Sequence, residues 1–290
     1  MQFISKSNVK LPIREKSSHK TDNGLVLVVG GSKDFVGAVT LAGLASLRSG
    51  CDLVKIIAPE KVAWAINAYS PDLVTVKLKG ESFNPSHFNI IKKSMEKFDV
   101  LLIGNGIGLS NEAKKFCKKT IKNIKKLKVI DADAIKVISM NDCGNSIITP
   151  HLKEFELFLK NSNIGSTITK KIINEKNIIK KSEIIKKMTQ NYLNNDNVIL
   201  LKGKIDSIIS KNKIYYNKTG NAGMTKGGTG DVLAGLCAGF LSQNMNLVQS
   251  AINAAYFNGL IGDILLKKKK GFTYLASDMV EEIEKTINSS

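Results

Sequence analysis

Short β-branched runs alternate with helix-length segments along almost the whole chain, and glycines cluster at the junctions. LVLVVGGS (25–32), DLVKIIAP (52–59), PDLVTVKL (71–78), DVLLIGNGIG (99–108), LKVIDADAI (127–135), SIITP (146–150) and NVILLKG (197–203) read as strands. Most are nearly all apolar, as strands buried on both faces must be. Between them lie VGAVTLAGLASLRSG with a stop at Gly50, a polar stretch from Ser86 to Lys97, and a Lys-rich helix. IINEKNIIKKSEIIKKM (172–188) reads as one surface helix by its apolar period. DSIIS and KIYYN, joined through Lys211 and Asn212, read as a hairpin, and two more helices close the chain. Such alternation implies parallel βαβ units in a three-layer α/β/α sandwich. The 290 residues are expected to form a single domain, 1–290, with no internal repeat. Open α/β sheets place their sites at the carboxyl ends of the strands. The glycine clusters at 30–31, 104–108 and 227–230 fall where that rule puts a site.

The rest of the sequence excludes several classes. The amino end has no apolar run long enough for a secretory signal, and no stretch is long enough for a membrane helix. Cys51, Cys117, Cys143 and Cys237 stand apart, without metal-ligand spacing, and are expected as reduced thiols. The cytosol is the expected compartment, and no membrane partner is expected. The net charge of +18 would suit a polyanion. The lysines, however, come as pairs on many segments, such as Lys92-Lys93, Lys118-Lys119 and Lys186-Lys187, and rarely beside an aromatic. That dispersal is the pattern of a solvated surface, so no specific nucleic-acid partner is expected and any such binding should be weak and salt-sensitive.

The sharpest motif is Gly227-Gly228-Thr229-Gly230-Asp231 ahead of a helix of small residues. Consecutive glycines let backbone N–H groups converge without a Cβ in the way, and the helix adds its positive amino end. Together they suit a phosphoryl group in transfer, and the carboxylate of Asp231 can take the proton of an attacking hydroxyl. The helix field is expected to keep that carboxylate ionised at neutral pH. The plainer reading makes Asp231 or Thr229 a helix cap. The long loop TGNAGMTK before the motif, which no cap needs, weighs against it. No GxxxxGK[ST] occurs, and GNGIG is not a dinucleotide fingerprint, so a P-loop kinase and a nicotinamide-dependent dehydrogenase are disfavoured.

GNAGMTKGGTGDVLAG resembles the signature of the ADP/ATP-dependent NAD(P)H-hydrate dehydratases. VVGGSKDFVGAVTLAGLASLRSGCDLV, LLIGNGIG, VIDADAI with ITPHLKEFELFL, and VILLKG follow in that family's order, from about Leu25 to Asp278. The resemblance implies a ribokinase-like sandwich with a mostly parallel sheet. It implies a hydro-lyase that uses ADP or ATP, with Mg²⁺, to phosphorylate the hydroxyl of hydrated NADH or NADPH (the S epimer of the 6-hydroxy form). Loss of phosphate then restores the cofactor, a metabolite repair. Carried over residue by residue, Asp231 is the base, and Gly228, Thr229 and Gly230 hold the phosphoryl. Lys202, Gly203, Lys204, Ile205 and Asp206, with Gly230, line the adenine nucleotide. Ala38, Gly106 and His151 contact the hydrated dinucleotide together with Asp231. Metal ligands are not assigned. A homo-oligomer is expected, since relatives often form tetramers.

Each carry-over has a plainer counterpart. Ala38 could be a packing residue, Gly106 a chain turn, and His151 a surface residue next to a helix that Thr149 caps with Pro150 in its first position. Asp131 and Asp133 end a strand, where a site carboxylate or a turn residue could equally sit, and are left outside the catalytic set. The sequence also departs from the family. Asp206 stands where a small hydroxyl residue is frequent and would repel a phosphate unless turned away. Asn105 stands where proline is common. The variable position before the anion hole carries Lys226, whose charge could help hold phosphate. Many relatives carry a fused epimerase; with the first strand near Leu25 there is no room for one, so it is expected as a separate protein or absent. Two other readings stay open at this stage: a small-molecule kinase similar to hydroxyethylthiazole kinase, and a nucleotide-binding regulatory or RNA-associated protein.

Overall fold

The structure, a computed structural model, describes residues 2–289. In chain order the strands are β1 (Gln2–Phe3), β2 (Leu25–Val29), β3 (Leu53–Pro59), β4 (Val74–Leu78), β5 (Val100–Ile103), β6 (Leu127–Ile130), β7 (Ser146–Ile148), β8 (Asn197–Leu201), β9 (Asp206–Ile209) and β10 (Ile214–Asn217). The helices are α1 (Val36–Arg48), α2 (Glu60–Tyr69), α3 (Phe88–Met95), α4 (Asn111–Asn123), α5 (Leu152–Asn161), α6 (Ser166–Asn174), α7 (Ile178–Met188), α8 (Gln190–Asn194), α9 (Thr229–Asn244), α10 (Leu247–Lys268) and α11 (Ala276–Asn288).

The strands form one sheet in the order β1-β10-β9-β8-β7-β6-β5-β2-β3-β4. Pairing is parallel throughout except where β9 meets β8 and β10. The β9–β10 pair is the predicted hairpin, closed by Ser210 N–H on the Lys213 carbonyl at 3.0 Å, and the antiparallel β8–β9 pair goes beyond that expectation. The result is the expected mostly parallel sheet with helices on both faces.

Strand periodicity of two decides which side chain enters which core. On β2, Val26 and Val28 point into one core with α1, α2, α9, α10 and α11. Leu27 and Val29 point into the other, with α3 to α8. All four are fully buried, which is why that run contains no polar residue. On the first face α1 and α9 approach closely, and the Ser46 hydroxyl donates to the Gly235 carbonyl at 2.9 Å.

Two expectations are corrected. The apolar run 172–188 is not one helix: α6 ends at Asn174, and Asn177 starts α7 by accepting from the N–H groups of Ile179 and Lys180. An asparagine cap competes with helix continuation, and the period across it survived by coincidence of spacing. The first strand is not near Leu25, because β1 pairs in parallel with β10 at the sheet edge. Two residues are too short to show a period.

Candidate active site

The carboxyl ends of the central strands deliver the polar residues. Asn105 follows β5, Asp131 follows β6, Thr149 and His151 follow β7, and Lys202 follows β8. Register holds the last pair side by side, since the Lys202 N–H donates to the Pro150 carbonyl at 2.8 Å and His151 bridges Lys202 in parallel.

Asp131 sits at the centre, 1% exposed. It accepts from the Thr149 hydroxyl at 2.6 Å, the Asn105 amide at 2.9 Å and the Lys202 ammonium at 3.1 Å. Its backbone opens the 3-10 turn Ala132–Ala134, but its side chain makes no cap bond and serves this cluster instead; sequence reasoning left it out. The available signal was its place, the first residue past a buried strand on the site edge. Asp133 has the plainer role, accepting from the Gly108 N–H and from Lys136.

Asp231 lies in the first turn of α9, and its carboxylate accepts from the Asn105 amide at 2.7 Å. It makes no cap bond: the capping position is Gly228, with no side-chain partner for the helix end. Burial, then the nearby Asp131 charge, push the Asp231 carboxyl up to about 7. This corrects the expectation that the helix field holds it fully ionised. The end of a macrodipole is worth at most a couple of kcal/mol, less than desolvation beside a second carboxylate.

Lys202 faces Asp131, Glu154 at 3.8 Å and the start of α9. Its ammonium would be 3.4 Å from a Cβ placed on Gly230. Burial pulls its proton affinity down, but Asp131 and Glu154 outweigh that and hold it above the usual lysine range. Its side chain is still 20% exposed, so a ligand can reach it. Burial raises the Glu154 carboxyl, with Lys202 opposing.

The loop ahead of α9 is held rigidly. Gly228 has φ +95°, and a Cβ on it would come within 2.7 Å of Ala276 and 2.8 Å of Leu41, so only glycine fits. The Thr229 hydroxyl donates to the carbonyls of Met224 and Lys226 at 2.7 and 3.0 Å. Any contribution of Thr229 to an anion hole is thus through its backbone. Upstream, Asp263 accepts from the Gly220 N–H and the Asn221 amide, and Asn221 accepts from the Tyr274 hydroxyl. The first N–H groups of α9, at Gly230 and Asp231, have no intrahelical acceptor and form an anion-binding end. Lys226 does not join them, because its ammonium donates to the carbonyls of Phe272 and Tyr274.

Gly203, Lys204 and Ile205 form the turn between β8 and β9, with Gly203 and Lys204 exposed, and Asp206 opens β9. The Asp206 carboxylate closes that turn, accepting from the Gly203 N–H at 3.0 Å and the Asn217 amide at 3.1 Å. Both oxygens are engaged by the fold, which directs the carboxylate into the turn; burial pushes the carboxyl up to about 6.

Ala38 and Gly106 meet. Gly106 has φ +67°, and a Cβ there would lie 2.6 Å from Phe35 and 3.2 Å from Ala38. His151, not Thr149, caps α5: its Nδ1 accepts from the Glu154 N–H while Glu154 accepts from the His151 N–H. Thr149 is unavailable as a cap because its hydroxyl serves Asp131. With Nδ1 accepting, the neutral ring carries its proton on Nε2. Burial, then Lys202, lower its proton affinity and favour that neutral form.

Next to Gly227 opens a cavity of about 450 Å³ lined mainly by Val36, Thr40, Leu41, Tyr69 and Leu275. A second, of about 390 Å³, includes Leu127, Asn197 and Asn246 and lies at the amino ends of β6 and β8, away from Asp231.

Comparison with known proteins follows the same lines. The family model described as NAD(P)H-hydrate dehydratase matches residues 26–285. A relative from Methanocaldococcus jannaschii, named bifunctional NAD(P)H-hydrate repair enzyme, is 40% identical over 93% of this chain and 49% of its own length. This chain thus spans about half the length of that relative. A relative from Nitrosopumilus maritimus, named ADP-dependent (S)-NAD(P)H-hydrate dehydratase, is 33% identical over 94% of this chain and 91% of its own. The structure of the Bacillus subtilis ADP/ATP-dependent NAD(P)H-hydrate dehydratase, co-crystallised with ATP and Mg²⁺, superposes with a TM-score of 0.79 at 24% identity, covering 99% of this chain and 98% of that one. At that identity it shows the ribokinase-like fold.

Proposed function

We propose, from the premise that this chain belongs to the NAD(P)H-hydrate dehydratase family, that it returns the S hydrate of NADH or NADPH to the intact cofactor with ADP or ATP as phosphoryl donor. The observation that carries the reading is Asp231, a carboxylate in the first turn of α9 beside free helix N–H groups, within one cluster with Lys202, Asp131 and Glu154.

The chemistry follows from that arrangement. Asp231 takes the proton of the ring hydroxyl as its oxygen bonds to the terminal phosphorus of the nucleotide. The bond from that phosphorus to the bridging oxygen breaks, leaving AMP when ADP is the donor. The amino end of α9 and Lys202 receive the negative charge on the migrating group. The ring nitrogen then expels phosphate, and loss of a ring proton restores the C=C bond. Gly203 to Asp206 form the nucleotide turn, and Ala38, Gly106 and His151 border the hydrate, with the His151 Nε2–H as a donor.

Mg²⁺ enters as part of the nucleotide complex. Asp131, Glu154 and Asp231 outnumber Lys202, so a bare polyphosphate would meet net negative charge. Mg²⁺ bound together with the nucleotide would supply the charge that offsets that repulsion. No group of three metal-ligating side chains occurs among the described residues, and the Asp131 oxygens are already bonded. The family resemblance supports a homo-oligomer in the cytosol built on one ribokinase-like domain, and no helix among the described residues is long and apolar enough to cross a membrane.

The test is incubation with hydrated NADH, Mg²⁺ and ADP or ATP, following recovery of the dihydronicotinamide absorbance and release of inorganic phosphate. A plain kinase would instead accumulate a phosphorylated product without phosphate release. Asp231→Asn keeps shape but cannot accept the proton, and should lose at least about 10²-fold in turnover. Near-normal turnover of that variant would reject Asp231 as the base.

A further inference from the structure

We propose that Asn105 is a positioning residue whose amide ties the Asp231 carboxylate to Asp131 and sets its orientation and proton affinity. The proposal rests on the reading of Asp231 as the base. A proline at this position would have no side-chain donor and could not make this bridge.

The geometry is specific. Asn105 is fully buried, and its amide nitrogen spends both hydrogens, one on Asp131 at 2.9 Å and one on Asp231 at 2.7 Å. Its carbonyl oxygen is buried and has no hydrogen-bond partner. A flipped amide would press that oxygen against two carboxylates, so the orientation is dictated by Asp131 and Asp231 together. A buried acceptor without a donor is disfavoured, so the amide's orientation is set from its nitrogen end. The backbone of Asn105 is also fixed, its carbonyl accepting from the Gly31 N–H at 2.9 Å.

The bridge has a direction. The charged and titratable groups around Asp231 are Asp131 after β6, Glu154 from α5 with His151 as that helix's cap, and Lys202 after β8. Burial and the two carboxylates favour the protonated form of Asp231, while Lys202 and the Asn105 amide favour the ionised form. The amide is an uncharged donor, so it helps ionise Asp231 without attracting the nucleotide phosphates as a second lysine would. It also engages Asp231 Oδ1, which leaves Oδ2 for the hydroxyl proton.

The experiment is a pH titration of the Asp231 carboxyl carbon by NMR in the ¹³C-aspartate-labelled protein, with the signal assigned by its loss in Asp231→Asn. Wild type is compared with Asn105→Ala and Asn105→Pro, and the acid limb of the turnover–pH profile is recorded alongside. Both variants should raise the midpoint by about one unit, so that turnover on the acid side falls about tenfold while the alkaline plateau changes less. An unmoved midpoint in a folded variant overturns the proposal. So does failure of both variants to fold, since the amide would then be holding the loop. The NMR midpoint needs no turnover: a shifted midpoint in a protein that does not dehydrate the hydrate would sink the functional reading alone. Normal wild-type turnover with unshifted variants would sink the role of Asn105 alone.

Discussion

As the proposed base, Asp231 answers to two demands that oppose each other, one from catalysis and one from stability. A base must be ionised, yet burial and Asp131 raise its carboxyl to about 7. Turnover should therefore climb with pH through about 7. Stability runs the other way. The folded pKa lies above the unfolded one, so the folded state gains protons; its advantage is complete below about pH 4 and is lost as pH rises through about 7. Asp231→Asn abolishes that loss. It should melt higher than wild type above about pH 7, and the gap should close toward pH 4, as read by thermal unfolding across that range. A gap that stays constant with pH would mean that Asp231 is not the group being titrated. Lys202 is the reverse case. Lys202→Ala would leave Asp131 and Glu154 buried without their counter-charge, at a cost of about 3–5 kcal/mol. That loss should appear in denaturant unfolding without any nucleotide present.

Among the elements, α5 and α9 separate structural from chemical duties most cleanly. His151 caps α5, so His151→Ala should cost about 1 kcal/mol whatever else the ring does. His151→Asn retains a capping acceptor. If the ring also contacts the hydrate, that variant should melt like wild type while KM for the hydrate rises and kcat changes less; an unchanged KM would reduce His151 to its capping role. On α9, the contact with α1 depends on the absence of side chains. A Cβ on Gly235 would lie 2.3 Å from the Ala42 carbonyl oxygen and 2.8 Å from Ala45. Gly235→Ala should therefore destabilise by about 1–3 kcal/mol despite its better helix propensity, measured by denaturant unfolding.

For the molecule as a whole, the sheet order brings β5, β6, β7 and β8 side by side. Their carboxyl ends supply Asn105, Asp131, Thr149 and Lys202, which lie up to 97 residues apart along the chain (105 to 202). The lysine excess plays no part in that cluster, where carboxylates outnumber the single ammonium. On the proposed reading, long-range attraction and local repulsion would act on the same nucleotide, with magnesium tipping the balance. ADP or ATP with Mg²⁺ should raise the melting temperature, by about 2.7 kcal/mol of added stability at a hundred times Kd. Nucleotide without the cation should do markedly less, and one cooperative transition is expected in both cases. Equal stabilisation with and without Mg²⁺ would contradict the charge balance described for the site.

The linear sequence determined whatever depends on neighbours in the chain. Apolar strands separated by helix-length segments required a parallel sheet with two covered faces, because such strands can be buried only that way. Gly227 to Asp231 announced a tight turn into a helix, and Lys211-Asn212 announced the hairpin. The tertiary structure alone decided which polar groups share a desolvated space. Asp131 looked like any strand-end aspartate until sheet order placed Asn105, Thr149 and Lys202 around it. Asp206 and Lys226 looked like phosphate-facing charges until Asn217 and the Phe272 and Tyr274 carbonyls engaged them. The proton affinity of Asp231 was misjudged for the same reason: a helix end is visible in sequence, whereas burial beside a second carboxylate is a property of packing.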